Sequence, residues 1–345
     1  MAYTNIDDPS AFFQTALYTG NGGTLAVTND GNSDLQPDWV WTKKRSDTSN
    51  HAVVDSSRGA TKQIYPNLTA AEETVSGVTA FNTDGFTLGS NGTANGNGGT
   101  FVGWQWKCNG GTTSSNTDGT ITSTVQANQD AGFNIVTYTG NGSNSNFAHG
   151  MGEQPDMVIV KNRDSAANWC VWHKDLTSSY YLQLDTTSSQ QTGPWDGLDP
   201  NSGVVFVYSG GLVNASGSDY VAYIFKGKQG YSKFGKYFGS GGTGITAPFI
   251  YTGFKPAFIL HKCSTSGRAW YLYDTKRLGY NGGNGYLQAQ DTDAESSNSV
   301  LDITSNGFKL RTTSTQMNQS GATFIYMAFA ENPFVTSTGI PTTAR

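Results

Sequence analysis

The chain has 345 residues, a formal net charge of −5 and 14% charged residues, against about 25% in an average globular domain. Its densest basic cluster is Lys43-Lys44-Arg45, too little for the clustered basic face of a nucleic-acid binder. Its apolar runs also fall short of the ~20 residues that insert in a membrane as a helix.

Aromatic residues at 12% argue against disorder, and 43 glycines lie among them. They fit short strands separated by tight turns. The N-terminus, Met1 to Asp8, has neither the basic start nor the apolar centre of a signal peptide. Residues 1–16 are expected to form a flexible arm.

One phrase then recurs three times. Residues 17–108 open on Tyr18-Thr19-Gly20-Asn21-Gly22 and continue through a Pro-led apolar run ending at Lys43. His51 to Asp55, the turn Asp84-Gly85-Phe86 and the aromatic run Thr100 to Trp106 follow. Residues 131–228 repeat the order with Tyr138-Thr139-Gly140-Asn141-Gly142, Gln154 to Lys161, Trp169 to His173 and Asp219 to Phe225. Trp195-Asp196-Gly197 stands there in place of the Gly-Phe turn. Residues 229–334 bring Tyr237-Phe238-Gly239, Lys255 to Lys262, Trp270 to Asp274, Asn306-Gly307-Phe308 and Thr323 to Phe329. A spacing of about a hundred residues suits one sandwich domain and exceeds the period of a solenoid.

Each run alternates like a half-buried strand. The closing runs are apolar on both faces and are expected at sheet centres. Asp84-Gly85, Asn281-Gly282 and Asn306-Gly307 are hairpin dipeptides. The expected fold class is therefore all-β: three tandem antiparallel β-sandwich modules of jelly-roll character, each closing its own core. The best helical candidate is a single turn within residues 68–75. Residues 109–130 read as a mobile or extended Gly/Ser/Thr-rich linker, the second and third modules as rigidly joined, and residues 335–345 as a tail.

Chemistry has few candidates. Cys108, Cys170 and Cys263 share no metal-ligand spacing and read as buried free thiols. The four histidines form no HxH or HxxxH pair, and no cofactor is expected. The five glutamates are Glu72, Glu73, Glu153, Glu295 and Glu331. Asp291, Asp293 and Glu295 alternate and could line one face as a calcium site, although a solvated loop is the plainer reading. Glu72 and Glu295 recur with Arg58 and Arg277, which points to a structural ion pair in the first and third copies. Trp195, set in a Gly/Pro loop, is the leading candidate for a ring that stacks on a sugar. Tyr208, Tyr280 and Tyr286 lie beside glycines and are further candidates, against core packing for most rings.

The segments Tyr138–Gly142, Gln154–Arg163, Ser216–Phe225, Gly230–Gly241, Tyr251–Lys262, Ser305–Arg311 and Tyr326–Phe334 together resemble modules of virion structural and tail-fibre proteins of tailed phages of marine and cyanobacterial hosts. The resemblance runs from Tyr18 to Phe334. It implies jelly-roll or concanavalin-like β-domains in a virion protein made in the host cytoplasm, and it supplies no catalytic residues. The expected function is a non-enzymatic tail or fibre component, trimeric, that contacts other virion proteins and presents loops to a host-surface glycan or receptor. Capsid decoration on the head surface is the alternative, and a polysaccharide depolymerase with opposed carboxylates is more remote.

Overall fold

The closing runs are apolar on both faces because each lies inside a sheet with side chains on both sides. Thr100–Trp106 sits between Phe13–Thr19 and Trp39–Lys44, with His51–Asp55 beyond. Asp219–Phe225 sits between Phe133–Thr139 and Met157–Asn162, with Cys170–His173 beyond. Thr323–Pro333 sits between Ser232–Phe238 and Phe254–Cys263, with Trp270–Asp274 beyond. One antiparallel strand order thus occurs three times, in the order opening, closing, lysine-bearing and third strand. The structure is a computed structural model that describes residues 2–195, 197–277, 281 and 283–342. It is all-β with several antiparallel sheets.

A small second sheet accompanies each of these four-strand units. Leu25–Val27, Phe86–Leu88 and Val78–Phe81 form the first, and Ser145–Ala148 with Val204–Val207 the second. Phe249–Tyr251, Gly307–Leu310 and Leu301–Thr304 form the third.

Period-two alternation sends neighbouring side chains into different cores. Val40, Val158 and Ile259 point into separate clusters, one for each copy. Trp39 and Trp41, Met157 and Ile159, and Phe258 and Leu260 point the other way and meet in one cluster shared by all three copies. In that cluster Trp39 lies 4.7 Å from Tyr223, and Phe13 lies 5.3 Å from Phe329, ring centre to ring centre. The expectation that each copy closes its own core therefore describes one face of each main sheet. The opposite faces are as apolar, and burying them requires the other two copies.

Several local expectations are corrected. Residues 109–130 are not a free tether. Ser114–Asn116 and Ser123–Asn128 add two strands to the second copy's main sheet. Of the expected arm at residues 1–16, the described residues 2–16 are docked: Ile6 is buried, Tyr3 Oη donates to Gly253 O at 2.6 Å, and Phe13 begins the first strand. The segment 68–75 is not helical. The α-helical turns among the described residues are Gly92–Asn95 and Thr315–Asn318, with caps from Asn91 and Ser314, and Pro9–Ala11 and Gly244–Thr246 are 3-10 turns. In the second copy the strand matching Phe86–Leu88 is Val204–Val207, so Trp195 belongs to a separate loop.

Candidate functional site

The repeat motifs make the same contacts in each copy. In the Tyr-x-Gly turns, the hydroxyls of Tyr18, Tyr138 and Tyr237 donate to the carbonyls of Ala94, Val213 and Met317. The next residue in each case is a fully buried asparagine: Asn95, Asn214 or Asn318. Its side-chain oxygen accepts from the amide of Asn21, Asn141 or Ser240 and pins the turn. A Cβ on Gly20, Gly140 or Gly239 would come within 2.4 Å of a backbone oxygen of that segment, so glycine is required. The reading by motif missed these asparagines. Their signal was a constant spacing ahead of Phe101, Tyr220 and Phe324.

The basic residue that ends each Pro-led run is a plug between copies. Lys43, Lys161 and Lys262 are fully buried. Lys161 Nζ donates to Thr69 O of the first copy at 3.1 Å, Lys262 Nζ to Thr187 O of the second at 2.9 Å, and Lys43 Nζ to Thr292 O of the third at 3.2 Å. Burial pushes each ammonium down to about 8. The start of the third strand follows the same cycle. Trp169 Nε1 donates to Tyr65 O at 2.9 Å and Trp270 Nε1 to Gln183 O at 2.8 Å, while His51 Nε2 lies 3.0 Å from Gln288 O.

The pairing of Arg58 with Glu72 and of Arg277 with Glu295 holds, at 2.7 and 3.3 Å. Each pair is part of a larger group. Arg58 also meets Asp55, which accepts from Tyr223 Oη of the second copy at 2.7 Å. Arg277 meets Asp274, which accepts from Trp104 Nε1 of the first copy at 2.9 Å. Glu72 and Glu295 then reach Arg163 and Arg45 of the neighbouring copy. Burial disfavours the Arg58 charge, yet Asp55, Tyr223 and Glu72 hold the guanidinium above its ordinary value. Burial also opposes ionisation of Glu72, yet Arg163 and Arg58 hold its carboxyl below the usual range. At the remaining seam, His173 takes the place of the aspartate, Leu176 that of the arginine and Gln190 that of the glutamate. The backbone bond persists there, from Gln190 N to Ser264 O at 2.8 Å, and His173 Nε2 lies 3.3 Å from Tyr326 O of the third copy.

The proposed calcium ligands do not converge. Glu295 is bound by Arg45 and Arg277, and Asp291 accepts from Gln290 Nε2 and from the Asp293 amide. Among the described residues no group of three or more His, Cys, Asp or Glu side chains is placed to hold a metal ion. The other glutamates are also engaged: Glu73 by Tyr65, Glu153 by Lys228 and Glu331 by Lys255. The three cysteines are free and buried.

The aromatic candidates separate. Trp195 is 0% exposed and packs in the second copy's own core, so its ring is closed to a ligand. Tyr286 is half-buried against Tyr271, 5.2 Å between ring centres, and closes the edge of the third core instead of projecting. Tyr280 lies outside the described residues. Tyr208 is 49% exposed. It borders a cavity of about 440 Å³ lined also by Tyr181, Pro194, Leu212 and Gly210-Gly211. Its own amide donates to Pro194 O at 2.8 Å, which holds the loop in place. An exposed ring beside apolar side chains and glycines can stack on the flat face of a ring-shaped ligand.

One sequence-family model spans all three copies. The chain belongs to the DUF7483 family, a domain of unknown function matched over residues 8–333. Comparison with curated proteins and with solved structures finds no match. The DUF7483 match, like the shared core, takes in all three copies. Among the described residues no helix is long and apolar enough to cross a membrane.

Proposed function

We propose that this chain is a non-enzymatic structural component of a tailed-phage virion, a tail or fibre part. In this reading it consists of three copies of one β-sandwich module set about a pseudo-threefold axis. It packs against other virion proteins, as a homotrimer, and the Tyr208 groove faces a host-surface glycan. The observation that carries the reading is the cycle of seam contacts. Lys43, Lys161 and Lys262, with the Arg58 and Arg277 groups, commit buried ionisable side chains to cohesion between copies. Engagement of all five glutamates by Arg, Lys or Tyr supports a building part over a depolymerase. The resemblance of the repeat motifs supplies the particle.

Immunogold labelling of purified virions, with copy number from quantitative mass spectrometry, tests the assignment. Label on the tail at low copy number is the expected result, and absence from the particle ends the reading. Capsid decoration is the second reading, favoured by the three-copy ring itself, which suits a seat on a local threefold axis of a shell. High copy number on the head would select it. On a glycan array, Tyr208→Ala is expected to lose about tenfold or more of any signal, as loss of a stacking ring does.

A further inference from the structure

The three seams are built alike but not filled alike. Where the second copy's opening strand borders the first copy, residues 108–128 occupy the groove. Ser123–Asn128 lies antiparallel on Phe133–Thr139, from Asn128 opposite Phe133 to Ser123 opposite Tyr138. Its buried Gln126 reaches Ser56 and Ser57 of the first copy at 3.0 and 2.7 Å. Asp38 accepts from the amides of Cys108, Gly110 and Gly111 beside it.

By the repeat, Ser232–Phe238 of the third copy corresponds to Phe133–Thr139. It pairs with its closing strand on one side, and among the described residues no strand lies on the other. A groove of about 440 Å³ borders that strand, lined by Lys233 to Tyr237 of the strand itself, by Phe249 to Tyr251 and Tyr326 of the same copy, and by Lys174 and Asp175 of the second. The corresponding edge of the first copy, Phe13–Thr19, is partly covered by its own loop, since Gln14 accepts from Gly31 N and donates to Ser33 O. Ser232–Phe238 is therefore the more accessible of the two.

The side chains around this edge describe what fits it. Phe238 is 63% exposed, and Phe249 and Tyr251, which line the groove, are also exposed. Lys233 Nζ lies 5.2 Å from the Tyr251 ring centre and donates to Tyr251 O. Among the described residues no carboxylate lies within ion-pair distance of it. Lys236 meets only Asp175, at 3.5 Å and with its own side chain 44% exposed. Lysines on an edge strand discourage pairing with the same edge of another copy. They favour an incoming strand of opposite charge.

We propose that this edge binds an extended acidic segment of a partner protein by β-strand addition, in the register that Ser123–Asn128 adopts on the second copy. In that register the places of Ala127 and Thr124 fall opposite Lys233 and Lys236, so those are the carboxylate positions. The inference does not depend on where the chain acts.

The test uses the full chain and a synthetic peptide with the Ser123–Asn128 sequence, glutamate replacing its Thr124 and Ala127 residues. Binding is read by fluorescence anisotropy and by amide hydrogen exchange. The expected result is binding with slowed exchange over residues 232–238. N-methylation of alternate peptide amides should abolish binding, because the attachment is through the backbone; this arm needs no variant of the protein. A peptide with lysine in place of the glutamates, and the Lys233→Glu/Lys236→Glu chain with the glutamate peptide, should each bind about tenfold or more weakly. No binding at millimolar glutamate peptide, binding without protection of 232–238, or retained binding of the N-methylated peptide would overturn the proposal. So would a chain that dimerises alone with that edge protected, since the occupant would then be a second copy.

Discussion

Asp55, Arg58 and Glu72 show how a charge is kept inside this protein. The side chains of Arg58 and Asp55 are inaccessible to solvent and 2.5 Å apart, and Tyr223 of the second copy fills a further acceptor site on the carboxylate. A buried pair is weak evidence for stability against an apolar replacement, but breaking one partner leaves a bare charge in the interior. Arg58→Leu is therefore expected to destabilise the fold by about 3–5 kcal/mol, measured by chemical denaturation. The second copy carries His173 and Leu176 at the matching places, so the seam tolerates loss of both charges. Asp55→Asn combined with Arg58→Leu should cost less than the sum of the single changes, and strict additivity would refute the coupling. The Arg–Glu link was legible because both residues recur at corresponding places. The reach of Glu72 to Arg163 was not, because that contact joins residues 91 apart in the chain. Trp195 marks the opposite limit: a Gly/Pro setting reads as an exposed loop, yet the loop folds back and its ring fills the core.

At the scale of elements, the strands followed from alternation and from the closing runs, whose two apolar faces placed them at sheet centres. The segment after the first copy did not. Its Gly, Ser and Thr composition reads as a tether, whereas its structure depends on acceptors supplied from elsewhere. Asp38 takes the Cys108, Gly110 and Gly111 amides, and Gln126 Oε1 takes those of Asn109 and Gly111. Limited proteolysis should accordingly spare residues 109–116 in the native chain. Asp38→Ala should open that segment to cleavage while the rest stays resistant, and equal resistance of the two proteins would remove this account. Among the described residues no such segment covers the strand Ser232–Phe238, which is where the proposed docking edge lies.

Across the whole molecule, the shared core decides how many folding units the chain contains. Trp39, Trp41, Trp104 and Trp106 of the first copy pack with Tyr223 and Phe225 of the second and Phe258 and Phe329 of the third. One copy alone would expose that face to water, at about 25 cal/mol for each Å² of apolar surface. Calorimetry is expected to show one unfolding transition for the full chain, and residues 131–228 alone are expected not to fold. Three separable transitions would mean three independent domains. The sequence by itself determined the all-β class, the threefold recurrence of the motifs, the principal strands and the recurring Arg–Glu partners, because these rest on local alternation, turn chemistry and spacing along the chain. Tertiary structure alone decided that the copies share a core, that Lys43, Lys161 and Lys262 plug the seams and that among the described residues no further strand covers the Ser232–Phe238 edge. Those outcomes depend on which copy's surface each face meets, and alternation within a strand carries no record of its neighbour.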